Sequence, residues 1–300
     1  MRMEWLEDIL LVAETGSFSA AADRRGLTKS AFSRRLRHIE QQLGVELFDR
    51  TSKPARLHPS IMAQREGILG ALGLVNEVVR DLQNSEKVAH EVIRIGTTPS
   101  LSLTKVPGLT DLARQALPQI SVRVFARGRD DVIGMLLARS VDIAVVPRLE
   151  GWRDTLVSEV VETADVGTDQ LIAYRSCEIS KENLIDGTHQ IPVVLYPSDT
   201  FFRQVLEHRV LPSVRRKAQL VPIAETGSTI GLMGYIAHGF GVGWLPESLV
   251  AWCSGTKGFQ NLSSELPSES LTLSVVRLRE RNSSAQLKVW EAMISSPERS

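Results

Sequence analysis

Six basic side chains and no acid lie between Arg24 and Arg37, a local chemistry made for phosphate and base edges rather than for catalysis. Lys29, Ser33 and Arg37 recur four apart, with Ser30 and Arg34 beside them. Ala31, Phe32, Leu36, Ile39 and Leu43 recur on the opposite side at helical spacing. A short helix with an apolar back and a basic, hydroxyl-lined front suits the DNA major groove. Arginine reads guanine with two bonds and a serine hydroxyl serves donor or acceptor edges, so Lys29, Ser30, Ser33 and Arg34 are the candidate base readers. Thr28, Arg35, Arg37, Arg50, Lys53 and Arg56 are expected to touch phosphates, which position the protein without reading sequence. Phe32, at a core register, is expected to pack rather than to intercalate.

A second group of chemistry-bearing residues follows strand-like runs later in the chain. The run ending at Gly96 leads into Thr97-Thr98-Pro99-Ser100-Leu101-Ser102 and then a helical stretch, where hydroxyls and free N–H groups favour a carboxylate or another anion. Arg129 follows the run ending near Phe125 and could pair with an anionic ligand or simply cap a turn. Ser198, Asp199 and Thr200 follow the run ending at Tyr196, and one of them must cap the next helix. Phe202 could be an apolar wall or core. Gly239-Phe240-Gly241-Val242-Gly243 follows a helical stretch instead of a strand, the reverse of a dinucleotide loop, and that reading is rejected. The six histidines show no metal spacing, and no Ser/His/Asp group is visible, so neither an enzyme nor a metal or cofactor site is expected.

Helices and turns must hold these groups. Trp5, Leu6, Ile9, Leu10 and Ala13 stripe a first helix that ends near Gly16. A small alanine-rich helix, a Gly26-Leu27 turn and a helix opened by Thr28 then have helix-turn-helix spacing, with Ala21 and Ala22 small enough for close approach. Val45 to Arg50 and Arg56 to His58 read as a two-stranded wing with Lys53 at its tip. From Pro59 to about Lys87 the pattern is a long helix in which Ile68, Leu72, Val75, Val79 and Leu82 are spaced four, three, four, three. That is a coiled-coil seam and predicts dimerisation, the alternative being a helix packed on its own domain.

Beyond Val88, strand-like runs at 92–96, 120–125, 141–146, 170–174, 192–196, 218–223 and 271–278 alternate with helical stretches, the last over 284–294. Such alternation predicts parallel-type sheets covered by helices. A subdomain break is placed near Asp165 to Thr168, with the chain returning near Pro267.

The whole-chain numbers agree with this division. Three hundred residues fit two or three domains. Lysine plus arginine equal aspartate plus glutamate at 35 each, so the basic charge of residues 24–37 is local and the chain does not coat nucleic acid. Cys177 and Cys253 are too few for a disulfide framework. No leader or membrane-spanning run is visible, and a cytoplasmic protein is expected.

At Phe18-Ser19-Ala20-Ala21-Ala22, Ser33-Arg34 through Ile39-Glu40, Leu43-Gly44-Val45-Glu46-Leu47-Phe48-Asp49-Arg50 and Gly239 through Trp244-Leu245-Pro246, the chain resembles the LysR-type transcriptional regulators along its whole length. The resemblance implies an α/β protein with a winged helix-turn-helix over 1–60, a dimerising linker helix over 61–88 and a two-lobed effector domain over 89–300. That domain would be like a periplasmic binding protein, with lobe 1 about 89–165 and 267–300 and lobe 2 about 166–266. It also implies homodimers pairing into tetramers on interrupted palindromes of double-stranded DNA, and a small anionic or polar effector between the lobes. Ser100 matches a ligand-contacting serine of the family and Arg129 a second contact position; Thr98, Leu101, Ser198, Thr200 and Phe202 complete the expected effector set. Ala31-Phe32-Ser33-Arg34-Arg35 and Ser100-Leu101-Ser102-Leu103 resemble the subgroup containing hypochlorite-responsive regulators. A redox-sensing regulator of the same architecture is therefore the alternative reading, and a cytoplasmic solute-binding protein a further one. The chain departs from the family at Lys29 and Ser30, where Gln and Pro are common, and at Leu57-His58-Pro59-Ser60-Ile61, which replaces Leu-Thr-Pro-Ala-Gly.

Overall fold

A computed structural model describes the chain apart from residues 1–2, 50–55, 59–60, 62–63, 65–66, 74, 76–78, 80–90, 153–158, 179–189, 254–257, 281 and 296–300, and describes only the backbone at 14, 56 and 57. The described residues fall into two compact units, Met1–Lys87 with Leu137–Ser140 and Val88–Leu136 with Val141–Ser300.

In the first unit, α1 (Met3–Thr15), α2 (Phe18–Arg24) and α3 (Lys29–Leu43) close around Ile9, Val12, Ala21, Ala22, Phe32, Leu36 and Ile39. Ser17 accepts the Ala20 N–H and Thr28 the Ala31 N–H, so both later helices start on a side-chain oxygen. The turn between them passes through Gly26 at φ +65, left-handed backbone that glycine adopts without strain. β1 (Phe48–Asp49) and β2 (Arg56–Leu57) pair antiparallel as the base of a wing. The Glu40 carboxylate accepts the Leu47 N–H at 3.1 Å and ties the strand to α3.

Of the expected linker, residues 61, 67–73, 75 and 79 are described as helical, and Leu82 lies outside the described residues. Its seam divides. Ile68 packs against the core of the helix-turn-helix and Leu72 is 6% exposed, as is Leu69, whereas Val75 and Val79 are 46% and 43% exposed. Within the chain the first half of the seam thus packs on its own unit, and among the described seam positions Val75 and Val79 stand open.

The second unit is built on a seven-stranded mixed sheet, ordered β10-β6-β11-β5-β3-β4 with β9 also on β6. β3 (Val92–Thr97), β4 (Ser121–Ala126) and β5 (Ile143–Arg148) are mutually parallel, as the strand-helix alternation predicts. β6 (Val161–Ser176), β9 (Gly243–Pro246), β10 (Phe259–Asn261) and β11 (Glu269–Leu278) add antiparallel ladders. β7 (Gln190–Leu195) and β8 (Gln219–Glu225) form a separate parallel pair. One core gathers Ile93, Ile95, Leu101, Ile143, Val145 and Trp290; another gathers Leu171, Val193, Leu195, Tyr196, Leu232 and Trp244. These two lobes are joined by β6 and β11, which pair from Val161↔Leu278 to Leu171↔Glu269. The region read as a break near Asp165 to Thr168 is thus continuous strand, with a bulge between Leu273 and Ser274. The glycine run is packing: a Cβ at Gly241, at φ +139, would strike the Pro192 carbonyl, and one at Gly243 would meet Leu232 and Ile236.

Candidate nucleic-acid interface and effector cleft

Burial of Phe32, Leu36 and Ile39, each with no exposed surface, fixes which side of α3 faces out. Full burial of such a side chain contributes about 1.5–3 kcal/mol, so three of them decide which side of the helix is buried. Thr28, Lys29, Ser30, Arg34 and Arg37 are exposed and Ser33 half-buried, and the Thr28 and Ser30 hydroxyls lie 3.2 Å apart. Among the described residues, Lys29, Arg34 and Arg37 have no ion-pair partner, so their charge is available to a polyanion. Arg50 and Lys53 lie outside the described residues, and of Arg56 only the backbone is described, at Asp49.

Arg35 is a correction. Its guanidinium turns to α1, with Nε on the Asp8 carboxylate and a terminal nitrogen 3.1 Å from Glu4, so it does not join the phosphate-facing group. Arg25 takes the other Asp8 oxygen at 2.8 Å and Glu7 at 2.8 Å. Asp8 has no exposed surface; burial pushes its carboxyl above the ordinary value against the pull of Arg25 and Arg35. Burial alone would lower the Arg25 guanidinium, but its bonds to Glu7 and the charge of Asp8 outweigh that and raise it.

In the second unit, Thr98 and Ser100 are 5% and 1% exposed, with hydroxyls 3.4 Å apart at the start of the Pro99–Thr104 helix. Leu101 is a correction: its side chain is packed inside the first lobe, which leaves a ligand only its backbone. Arg129 opens the Arg129–Leu137 helix, its side chain 9% exposed. Nε donates to the Pro147 carbonyl at 2.9 Å, a terminal nitrogen lies 3.2 Å from Asp130, and the guanidinium sits 4.7 Å from the ring centre of Phe201. Phe201 belongs to the second lobe, so this contact spans the cleft. Thr200 caps the Phe201–Val205 helix by accepting the Arg203 N–H, and it donates to the Pro197 carbonyl at 2.8 Å. Ser198 is exposed. Phe202 is the second correction here, since it packs on Tyr196 in the lobe core while its neighbour Phe201 faces Arg129.

A second bridge between the lobes involves residues that sequence reasoning passes over. Asp169, 7% exposed on β6, accepts the Ser248 hydroxyl at 2.6 Å and the Ser248 N–H at 3.1 Å, and Ser248 also reaches the Thr104 hydroxyl at 3.4 Å. Nothing in the spacing of 104, 169 and 248 marks them, because only the fold brings the three segments together. Burial, with the Glu247 and Asp169 carboxylates adding to it, pushes the Tyr174 phenol up to about 12. No group of metal-ligating residues occurs among the described residues.

Comparison with known proteins matches both regions of the chain to known domains. Residues 3–60 match the bacterial regulatory helix-turn-helix family of the lysR type, and residues 87–296 match the LysR substrate binding domain. The HTH-type transcriptional regulator ShiR of Corynebacterium glutamicum is 27% identical over 231 residues, covering 76% of this chain and 73% of that protein. YjiE of Escherichia coli is 34% identical over 106 residues, 35% of each chain. A crystal structure of Vibrio fischeri DarR in complex with DNA aligns over 98% of both chains with a TM-score of 0.58 and 22% identity. The full-length structure of HypT from Salmonella typhimurium, described as a hypochlorite-specific regulator, aligns over 98% of both chains with the same TM-score and 20% identity. These two share the fold. The helix-turn-helix and the two-lobed domain together define a ligand-responsive transcription factor. The chain belongs to the LysR-type transcriptional regulators, which bind DNA, respond to small molecules and assemble as oligomers.

Proposed function

We propose that the α3 front, with Lys29, Ser30, Ser33 and Arg34 on base edges and Thr28 and Arg37 on phosphates, reads an operator under the control of a small anion bound between the lobes. The observation that carries this is the exposed, unpaired basic front of a capped helix in a helix-turn-helix. Residues 1–60 act as the reading unit, 61–88 as the linker and 89–300 as the sensor, with Arg50, Lys53 and Arg56 of the wing as further phosphate contacts. Ser100 and Arg129 on one lobe and Thr200 on the other hold the effector, which displaces Phe201 from the Arg129 guanidinium. The protein works by binding, without catalysis, in the cytoplasm, as a dimer that pairs into tetramers.

The test begins with selection of bound duplexes from a random-sequence pool, which should enrich an interrupted palindrome. Affinity for that duplex is then measured with a panel of small carboxylates. Coupling free energies between sites are typically about 1–3 kcal/mol, so the active carboxylate should shift affinity several-fold to a hundredfold. Ser100→Val and Arg129→Ala should abolish the shift and leave ligand-free binding unchanged. Enrichment of no sequence sinks the reading; a shift that survives both substitutions moves the effector out of this cleft.

A further inference from the structure

Asp8 is a carboxylate with no exposed surface in the middle of a DNA-binding unit, and it is held by two arginines from two different elements. One is Arg35, from the helix that presents the base readers. The other is Arg25, from the turn that leads into that helix. Each takes its own oxygen of Asp8, and each also reaches a second α1 carboxylate, Glu4 for Arg35 and Glu7 for Arg25. Apolar packing of Phe32, Leu36 and Ile39 fixes roughly which side of α3 is buried, but apolar contacts are not directional. A buried ion pair is a contact with one particular partner, and breaking it leaves an uncompensated charge out of water. Arg34 and Arg35 are adjacent, so turning Arg35 toward Asp8 points Arg34 outward.

We propose that Asp8 is a positioning residue for DNA recognition: through Arg35 and Arg25 it sets the rotation of α3, and it withholds those two arginines from the phosphate backbone. The basic segment thereby splits by role. Lys29, Arg34 and Arg37 face the nucleic acid, whereas Arg25 and Arg35 are neutralised from behind by α1. The consequence is specificity, since every cation kept off phosphate lowers binding to any sequence and leaves more of the affinity to base contacts. This inference rests on the proposed reading face of α3, and its test uses the duplex selected above, so failure to enrich a sequence is distinguishable from failure here.

The probes are that selected duplex and a scrambled duplex of equal length, titrated with the full chain across a range of salt. Arg35→Gln removes the α3 arm and leaves Asp8 paired with Arg25. The expected result is a roughly tenfold loss on the selected duplex, with scrambled binding and its salt slope unchanged. A phosphate contact would behave differently: both affinities fall together and the slope becomes shallower by about 0.9, the value for one released counterion. That outcome overturns the proposal, as does no change on either duplex. Asp8→Asn, with folding checked by thermal unfolding, should strengthen scrambled binding several-fold and steepen the slope as Arg35 and Arg25 reach phosphate. Adding Arg35→Gln to it should recover about one unit of slope. A folded Asp8→Asn protein with the wild-type ratio between duplexes also overturns the proposal.

Discussion

At the scale of single residues, what a charged side chain does is decided by what faces it, and residues 24–37 show both cases. Arg34 is exposed with no ion-pair partner among the described residues, whereas Arg35, next in the chain, is bound to Asp8 and Glu4. Arg34→Ala is therefore expected to cost about 1–3 kcal/mol on the selected operator and to relax one base position, as a bidentate base contact does. Equal losses on operator and random DNA, read by gel shift, would make Arg34 a phosphate contact. Periodicity made the apolar back of α3 legible and also separates Arg34 from Arg35, because Arg35 stands three residues after Phe32 and four before Ile39, at the edge of the stripe, while Arg34 lies opposite it. A signal existed in α1: Asp8 stands three and four residues from Trp5 and Val12, an acid at an apolar-stripe position, which asks for a buried cation. Phe201 and Phe202 offered no such signal. Two adjacent identical side chains must point apart, and only packing on Tyr196 shows which goes inward.

At the scale of elements, the strands with continuous apolar runs were legible and those completed by distant partners were not. β5 and β7 carry Ala/Val/Ile/Leu runs buried on both faces, and β3 alternates at its start with Ile93 and Ile95 buried. The first half of β6, Val161 to Gln170, alternates weakly and is strand because β11 pairs along its whole length. The segment after β7 packs Val205, Leu206, Val210 and Leu211 into the lobe core and carries a charge network on its outer side. Arg203 and Arg215 both bond Glu207, whose side chain is 31% exposed, and Arg203 also donates to the Tyr196 carbonyl at 2.7 Å. The Arg215 bond is the main cause pulling the Glu207 carboxyl down from 4.5 to about 2. A carboxylate depressed on folding adds stability that is present above its unfolded value and lost as pH falls through its folded one. Thermal unfolding of the full chain should accordingly show a loss between about pH 4.5 and pH 2 that Glu207→Gln flattens, with the variant less stable than wild type at pH 7. An identical pH profile in the variant would mean that solvent screening leaves this exposed network without energetic effect.

At the scale of the whole molecule, the question is what the linker does in the assembly. A heptad pattern records which side of a helix is apolar and is silent on whether the partner is the same chain or another. The structure divides the pattern: Ile68 is half-buried against the core of the first unit and Leu72 is buried, and Leu72 also lines, with Glu7, Leu10, Leu11, Arg24 and Arg25, an open pocket of about 470 Å³. Among the described seam positions, Val75 and Val79 are left exposed, at 46% and 43%. Two exposed valines one helical turn apart need a second apolar surface, and a second copy of the same helix supplies one with matching spacing. The two halves of the seam should then fail differently. Val75→Asp with Val79→Asp places like charges at a self-paired interface and is expected to give smaller species in sedimentation, with operator binding lost and thermal unfolding of the DNA-binding unit unchanged. Leu72→Asp buries an unpaired charge inside one chain, so it should lower that unit's own unfolding temperature whatever the assembly state. Intact dimers in the Val75/Val79 variant would place the interface on the effector domains, and the linker would then serve only to tie the reading unit to its own chain.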